Sequence, residues 1–146
     1  MTKKLDFKIS DHFWAHEVLP PEASKLDIDE MIMCITPFLR IVPEKIRKML
    51  GKPVIMNNWR SGGENKYRGW RPLYCTIGAP RSSHKFGVAI DIEVPGMTPG
   101  EVLFWLETRQ FLFPEITRYE DFELTPTWNH FDGKYTGLGE VQRIGL

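Results

Sequence analysis

From Asp27 to Ile41 the apolar residues Ile28, Met31, Ile32, Ile35, Phe38 and Leu39 fall three and four apart, the spacing of one helix face. Pro37 lies inside that stretch and predicts a kink or a split. Pro43 predicts the first residue of a second helix running to Leu50, with Gly51 as its terminator. Short apolar or alternating runs predict strands over 53–58, 88–94 (the clearest), 116–120 and 127–132. Thr98-Pro99-Gly100-Glu101 has the form of a capping box and predicts a helix to about Gln110 that carries Val102, Leu103, Trp105 and Leu106. The opening to about Ser24 mixes Phe13 and Trp14 with Pro20-Pro21 and predicts irregular cover, with His12 and His16 in structural or exposed roles. The residues after Phe131 show little pattern, and there is no internal repeat. Helices first, then strands with one late helix, predict an α+β fold: a small, largely antiparallel sheet with N-terminal helices.

Composition narrows the function classes. A chain of 146 residues, 42% hydrophobic and 26% charged, fits one globular domain spanning 1–146. With 19 basic and 19 acidic residues it lacks the cationic excess of a nucleic-acid binder, and nothing in it calls for an anionic membrane. No run of about 18 apolar residues predicts a membrane span. The start, MTKKLDFKISDHF, has lysines but no apolar segment behind them, so the expectation is synthesis in the cytoplasm without a secretory signal. The two cysteines, Cys34 and Cys75, make neither a zinc knuckle nor a disulfide framework; Cys34 reads as a core thiol.

The candidate chemistry sits around the clearest strand. Alternation puts Val88, Ile90, Ile92 and Val94 on one face and Ala89, Asp91 and Glu93 on the other. A carboxylate amid so apolar a strand needs solvent or a partner. His84 precedes the strand, Gly87 lets the chain turn, and the small Ala89 leaves room for His84 to fold back toward Asp91. In the 127–132 strand, Trp128, His130 and Asp132 share a face, so His130 can complete a His/Asp/His set of zinc ligands with a fourth position open. Trp128 would wall the site and Asp132 would orient a ligand from behind. The stretch from Trp59 to Ser83 is longer than a compact domain usually leaves unstructured, which points to function.

The motif Ser82-x-His84-x-x-Gly87-x-Ala89-x-Asp91, followed by Trp128-x-His130, resembles the zinc D-alanyl-D-alanine carboxypeptidase family, peptidases of bacterial cell-wall peptides that share a fold with the Hedgehog signalling domain. The subgroup with phage and prophage lysis proteins is most similar, through Ile9-Ser10-Asp11-His12-Phe13 leading to Glu17, Phe38-Leu39-Arg40, Trp59-Arg60-Ser61 and Thr125-Pro126-Thr127-Trp128. The resemblance covers about residues 8–133 and leaves 134–146 as a tail. It implies one zinc ion on His84, Asp91 and His130, a substrate-holding role for Arg60, and support from Ser82.

Many members of that family carry an acidic general base three positions before the last histidine; this chain has Thr127 there. Glu120, Asp121, Glu123 and Asp132 are the candidates to replace it, and Glu120 is preferred because its strand should neighbour that of His130. Two functions follow as expectations. One is a zinc metallopeptidase cutting peptidoglycan stem peptides or cross-links, released through a holin or carried in a phage particle. The other is a non-catalytic zinc domain that binds cell wall or stiffens a virion, favoured by the loss of the usual base.

Overall fold

Asp27 opens the first helix, α1 (Ile28–Cys34). Its carboxylate accepts the Glu30 amide at 2.8 Å, and the Glu30 carboxylate accepts the Asp27 amide at 3.2 Å. The structure is a computed structural model and describes residues 2–145; positions 1 and 146, the two ends of the predicted domain and tail, lie outside the described residues. α1 stops before Thr36, which is extended (ψ 164°) because a residue ahead of proline is barred from helical geometry. Thr36 then caps α2 (Pro37–Leu50), accepting the Leu39 amide at 3.3 Å, and Gly51 closes that helix in the left-handed conformation.

Pro37 therefore splits the apolar stretch as expected, but it, and not Pro43, is the first residue of the second helix. Pro43 sits inside α2, buried in the same stripe as Phe38, Leu39, Val42 and Ile46. A proline in a helix interior costs on the order of 3 kcal/mol. The Thr36 cap and the burial of four large side chains offset it. The third helix, α3 (Pro99–Glu107), has the expected Thr98/Glu101 box, both bonds at 3.2 Å; beyond Glu107 a single 3-10 turn (Gln110–Leu112) takes its place.

Strands β1 (Ala89–Ile92), β2 (Arg118–Glu120), β3 (Asn129–Asp132) and β4 (Gln142–Ile144) form one sheet in the order β1-β3-β2-β4. The first three pair antiparallel, but β4 runs parallel to β2, so the sheet of this α+β fold is mixed. β4 escapes the sequence because its three residues, Gln-Arg-Ile, are half-buried or exposed and carry no alternation; the Arg143–Asp121 ion pair helps hold it. The expected 53–58 strand shrinks to one bridge between Ile55 and Glu93. Past it, the Asn57 amide turns to the Glu17 carbonyl and its side-chain oxygen accepts the Arg68 amide, which takes the segment off the sheet.

The register gives the sheet two unlike faces. Ile90, Phe131 and Tyr119 stand abreast on one, buried with Ile92 in a single hydrophobic cluster that also takes in the apolar stripes of α2 and α3. Ala89 and Asp91, His130 and Asp132, and Arg118 with Glu120 occupy the other. The irregular N-terminal segment contributes Phe13, Ala15, Val18 and Leu19 to the cluster. Cys34 and Cys75 are free and half-buried. Among the described residues no helix is long and apolar enough to cross a membrane.

One contact couples the helical layer to the polar face. The Thr36 hydroxyl donates to the Gly87 carbonyl at 2.5 Å, and Gly87 itself holds φ +70°, where a Cβ would collide with the Thr36 methyl. Gly87→Ala should lower the unfolding free energy by about 2 kcal/mol, through the left-handed backbone and the clash together, as read from urea denaturation. Adding Thr36→Ser, which keeps the hydroxyl but removes the methyl, should restore part of the loss; an unshifted midpoint in Gly87→Ala would contradict this coupling.

Candidate metal centre

The pairing of β1 with β3 sets Asp91 opposite His130 and Ala89 opposite Asp132. His84 arrives from a 3-10 turn (Ser83–Phe86) that Ser82 caps, its hydroxyl oxygen accepting the His84 amide at 3.3 Å, and that Gly87 ends. His84 is thereby brought back to the sheet beside Asp91, two residues on from the fully buried Ala89. His84 Nε2 lies 3.3 Å from Asp91 Oδ2, and His130 Nδ1 lies 2.9 Å from Asp91 Oδ1. The three ligand atoms all fall within 4.8 Å of one another. Tetrahedral bonds of about 2.1 Å put neighbouring ligand atoms about 3.4 Å apart, so these atoms would draw together to seat an ion.

The partners behind each imidazole decide which nitrogen is available. His84 Nδ1 stands 2.7 Å from the Gly69 carbonyl, which can only accept, so Nδ1 donates there and Nε2 is the nitrogen turned to Asp91. His130 Nε2 stands 2.9 Å from Asp132 Oδ2, which leaves Nδ1 for the cluster. Asp132 is wholly buried and gripped by the Arg118 fork, Nε to Oδ1 at 2.9 Å and Nη2 to Oδ2 at 2.7 Å. Both histidines thus have the outer acceptor that metal-binding imidazoles use to fix tautomer and ring orientation.

The cluster is nearly dry: His84, Asp91 and His130 are 2%, 7% and 8% exposed. Burial alone would raise the Asp91 carboxyl, but His84 and His130 outweigh it and hold the group below the ordinary carboxylate range. Burial alone would lower His130, yet its hydrogen bonds to Asp132 and Asp91 push it up to about 9. Burial likewise opposes ionisation of Asp132, and the bonds from His130 and Arg118 pull it down. Two imidazoles and a carboxylate converging in a dry pocket could hold a divalent metal ion, which would displace the proton that His130 Nδ1 shares with Asp91.

The long segment from Trp59 to Ser83 is the strap that builds this pocket. The Asp91 amide donates to the Arg68 carbonyl at 2.8 Å, and the Arg71 amide donates to the His84 carbonyl at 3.1 Å. Gly69, which holds His84 from behind, packs so closely on the Val18 backbone that no Cβ would fit. The buried Arg71 spreads its guanidinium over three acceptors: the Tyr67 carbonyl at 2.7 Å, the Ile77 carbonyl at 3.2 Å and Asp91 Oδ2 at 3.4 Å.

In front of the cluster lies a cavity of about 400 Å³, walled by Trp128, Arg71, Arg118 and Glu120 among others. The four base candidates separate cleanly. Asp132 is committed to Arg118 and His130, Asp121 pairs with Arg143, and Glu123 lines a different cavity beside Phe122 and Pro126. Glu120 lines the cluster's own cavity, and its carboxylate makes no hydrogen bond or ion pair among the described residues. Thr127 lines a different cavity, which shares Trp128 with this one. Arg60, expected at the substrate, is instead paired with Asp6 at 2.5 Å and is not among the residues lining the cluster's cavity. The arginines that line the cavity are Arg71, Arg81 and Arg118. Arg118 shares the alternation of Glu120 along β2, a usable signal; Arg71, in a loop, offered none.

Asp132→Asn should weaken metal binding by about 10- to 100-fold in a chelator-competition titration, since the charged acceptor behind His130 is lost while all three ligands remain. Arg60→Ala should leave that affinity unchanged. Equal affinity in Asp132→Asn and the parent would contradict the arrangement. No family model matches the chain, and comparison with curated proteins and with solved structures finds no match.

Proposed function

We propose that the chain is a zinc metallopeptidase acting on the peptide part of bacterial peptidoglycan, with a fold of the Hedgehog/D,D-peptidase kind. The observation that carries this reading is the combination at one site of three converging ligand atoms, two histidines fixed from behind, and one unpaired carboxylate in the same cavity. Peptidoglycan as the substrate, and a setting in phage lysis or a phage particle, rest on the resemblance of residues 82–91 and 128–130 alone.

A zinc ion on His84, Asp91 and His130 would supply Lewis-acid chemistry, polarising a scissile carbonyl and acidifying water beside it. The chain's own residues do the rest. Glu120 takes the proton as water oxygen adds to the carbonyl carbon, then returns it to the nitrogen as the C–N bond breaks. Trp128 walls the cavity and Arg71 holds Asp91 in place. Asp132, backed by Arg118, keeps the His130 ring from rotating.

Thr127 at the usual base position supports a second reading, a zinc domain that binds cell wall without cutting it. The two readings part on Glu120. Purified peptidoglycan incubated with the zinc-loaded protein and examined by mass spectrometry should yield new peptide fragments, absent with chelator and in His84→Ala. Glu120→Gln should retain one zinc per chain and release fragments about 10²- to 10⁴-fold more slowly. Zinc-loaded protein that binds the wall but releases nothing would overturn the enzyme in favour of the binding domain.

A further inference from the structure

Beside the Asp91–His130 pair lies a second row of side chains on the same face of the sheet. The antiparallel register, carried one step further, sets Glu93 opposite Trp128. Arg68 reaches in from the strap and joins the two. Its guanidinium carbon lies 5.7 Å from the centroid of the Trp128 ring, within cation–π range, and its Nη1 donates to Glu93 Oε2 at 2.8 Å. One planar cation thus stacks on the residue two before His130 and pairs with the residue two after Asp91.

The place of that cation is fixed from the backbone outward. The Arg68 amide donates to Asn57 Oδ1 at 2.9 Å, and the Arg68 carbonyl accepts the Asp91 amide at 2.8 Å. Asn57 is itself buried and donates its amide to the Glu17 carbonyl. Arg68 therefore springs from the peptide that fastens the strap to the ligand strand. Trp128 has no comparable anchor: its indole N–H meets no acceptor among the described residues, so Arg68 is the polar group that restrains the ring. Trp128 lines the cluster's cavity and Arg68 does not, so the guanidinium lies against the indole from outside that cavity.

The geometry points to Arg68 as a positioning residue: paired with Glu93, it holds the Trp128 indole as a fixed wall of the ligand cavity, against which the substrate packs. The substrate's part rests on the peptidase reading; the task given to Arg68 and Glu93 goes beyond it. A ring clamped beforehand loses no freedom when the substrate arrives, so the clamp contributes to binding. A wall meets the substrate before and during the reaction alike, so loss of the clamp falls on KM and spares kcat. Arginine suits the task because its flat guanidinium can stack and pair at once.

The test follows the ring and the reaction separately. The zinc-loaded full chain is made with 5-fluorotryptophan in place of its five tryptophans, and the Trp128 fluorine line is assigned from Trp128→Phe. In Arg68→Met and in Glu93→Gln that line should move and broaden while the remaining lines hold, which also shows that each variant is folded. An unchanged Trp128 line in Arg68→Met would overturn the clamp, whatever the protein cuts. Initial rates are then measured on soluble peptidoglycan fragments with the unlabelled protein. Arg68→Met should raise KM roughly 3- to 30-fold, the factor a partly desolvated cation–π contact is worth, with kcat held within about twofold. Added to Trp128→Leu, it should change KM no further. A KM that stays put in Arg68→Met, or effects of the two substitutions that simply multiply, would overturn the positioning role and leave the peptidase standing. A parent protein that cuts none of the fragments would bring down the peptidase reading and the substrate's part here with it, while the fluorine spectra still decide whether Arg68 holds the ring.

Discussion

Asp91 is a carboxylate almost wholly withdrawn from water in the middle of an apolar strand, and the surrounding structure is organised around making that tolerable. An unpaired carboxylate in such a place would cost several kcal/mol or give up its charge. Here His84 reaches one oxygen, His130 the other, and Arg71 approaches from the strap. Each of those groups is buried as well, so each needs its own partner: Gly69 for His84, Asp132 for His130, and two backbone carbonyls for Arg71. The result is a polar network in which nearly every member is satisfied, set on the back of a sheet whose other face is the hydrophobic core. Such networks are rigid, and rigidity at the ligands is what a metal centre requires.

The same constraint explains features that look unrelated. The 25 residues from Trp59 to Ser83 need little regular structure because their task is to bring the Gly69 carbonyl and the Arg71 side chain to fixed points beside β1. The left-handed Gly87 turns the chain so that a histidine seven residues before Asp91 can face it. The Thr36 hydroxyl caps one helix and holds the Gly87 carbonyl, so the helical layer and the ligand turn are positioned by one side chain.

Much of this was legible in the sequence, and the boundary between what was and was not is physical. That His84, Asp91 and His130 converge on the face that also carries Asp132, and that the chain turns at Gly87, follow from strand alternation and spacing, because a period of two leaves no choice of side once one residue is placed. The capping box at Thr98 was readable because its chemistry lies within four residues. Pro43 misled, since a buried apolar stripe and the cap at Thr36 can carry a helix through a proline. The strand β4 was hidden because edge pairing is made by backbone groups that every residue has, and the expected 53–58 strand came down to one bridge at Ile55 because Asn57 turns its amide to Glu17 and its side chain to Arg68. Arg60 and Arg71 are both loop arginines in the same Gly- and Pro-rich stretch; only the path of the loop separates the one beside Asp6 from the one beside Asp91.

The account stands on the claim that His84, Asp91 and His130 hold one metal ion through His84 Nε2, an Asp91 oxygen and His130 Nδ1. Anomalous diffraction at the zinc edge from crystals grown with zinc tests it most directly. The account predicts one strong peak within about 2.0–2.2 Å of those three atoms, with the Gly69 and Asp132 contacts behind the rings intact. A peak elsewhere, or ligation through the opposite nitrogen of either ring, would contradict it.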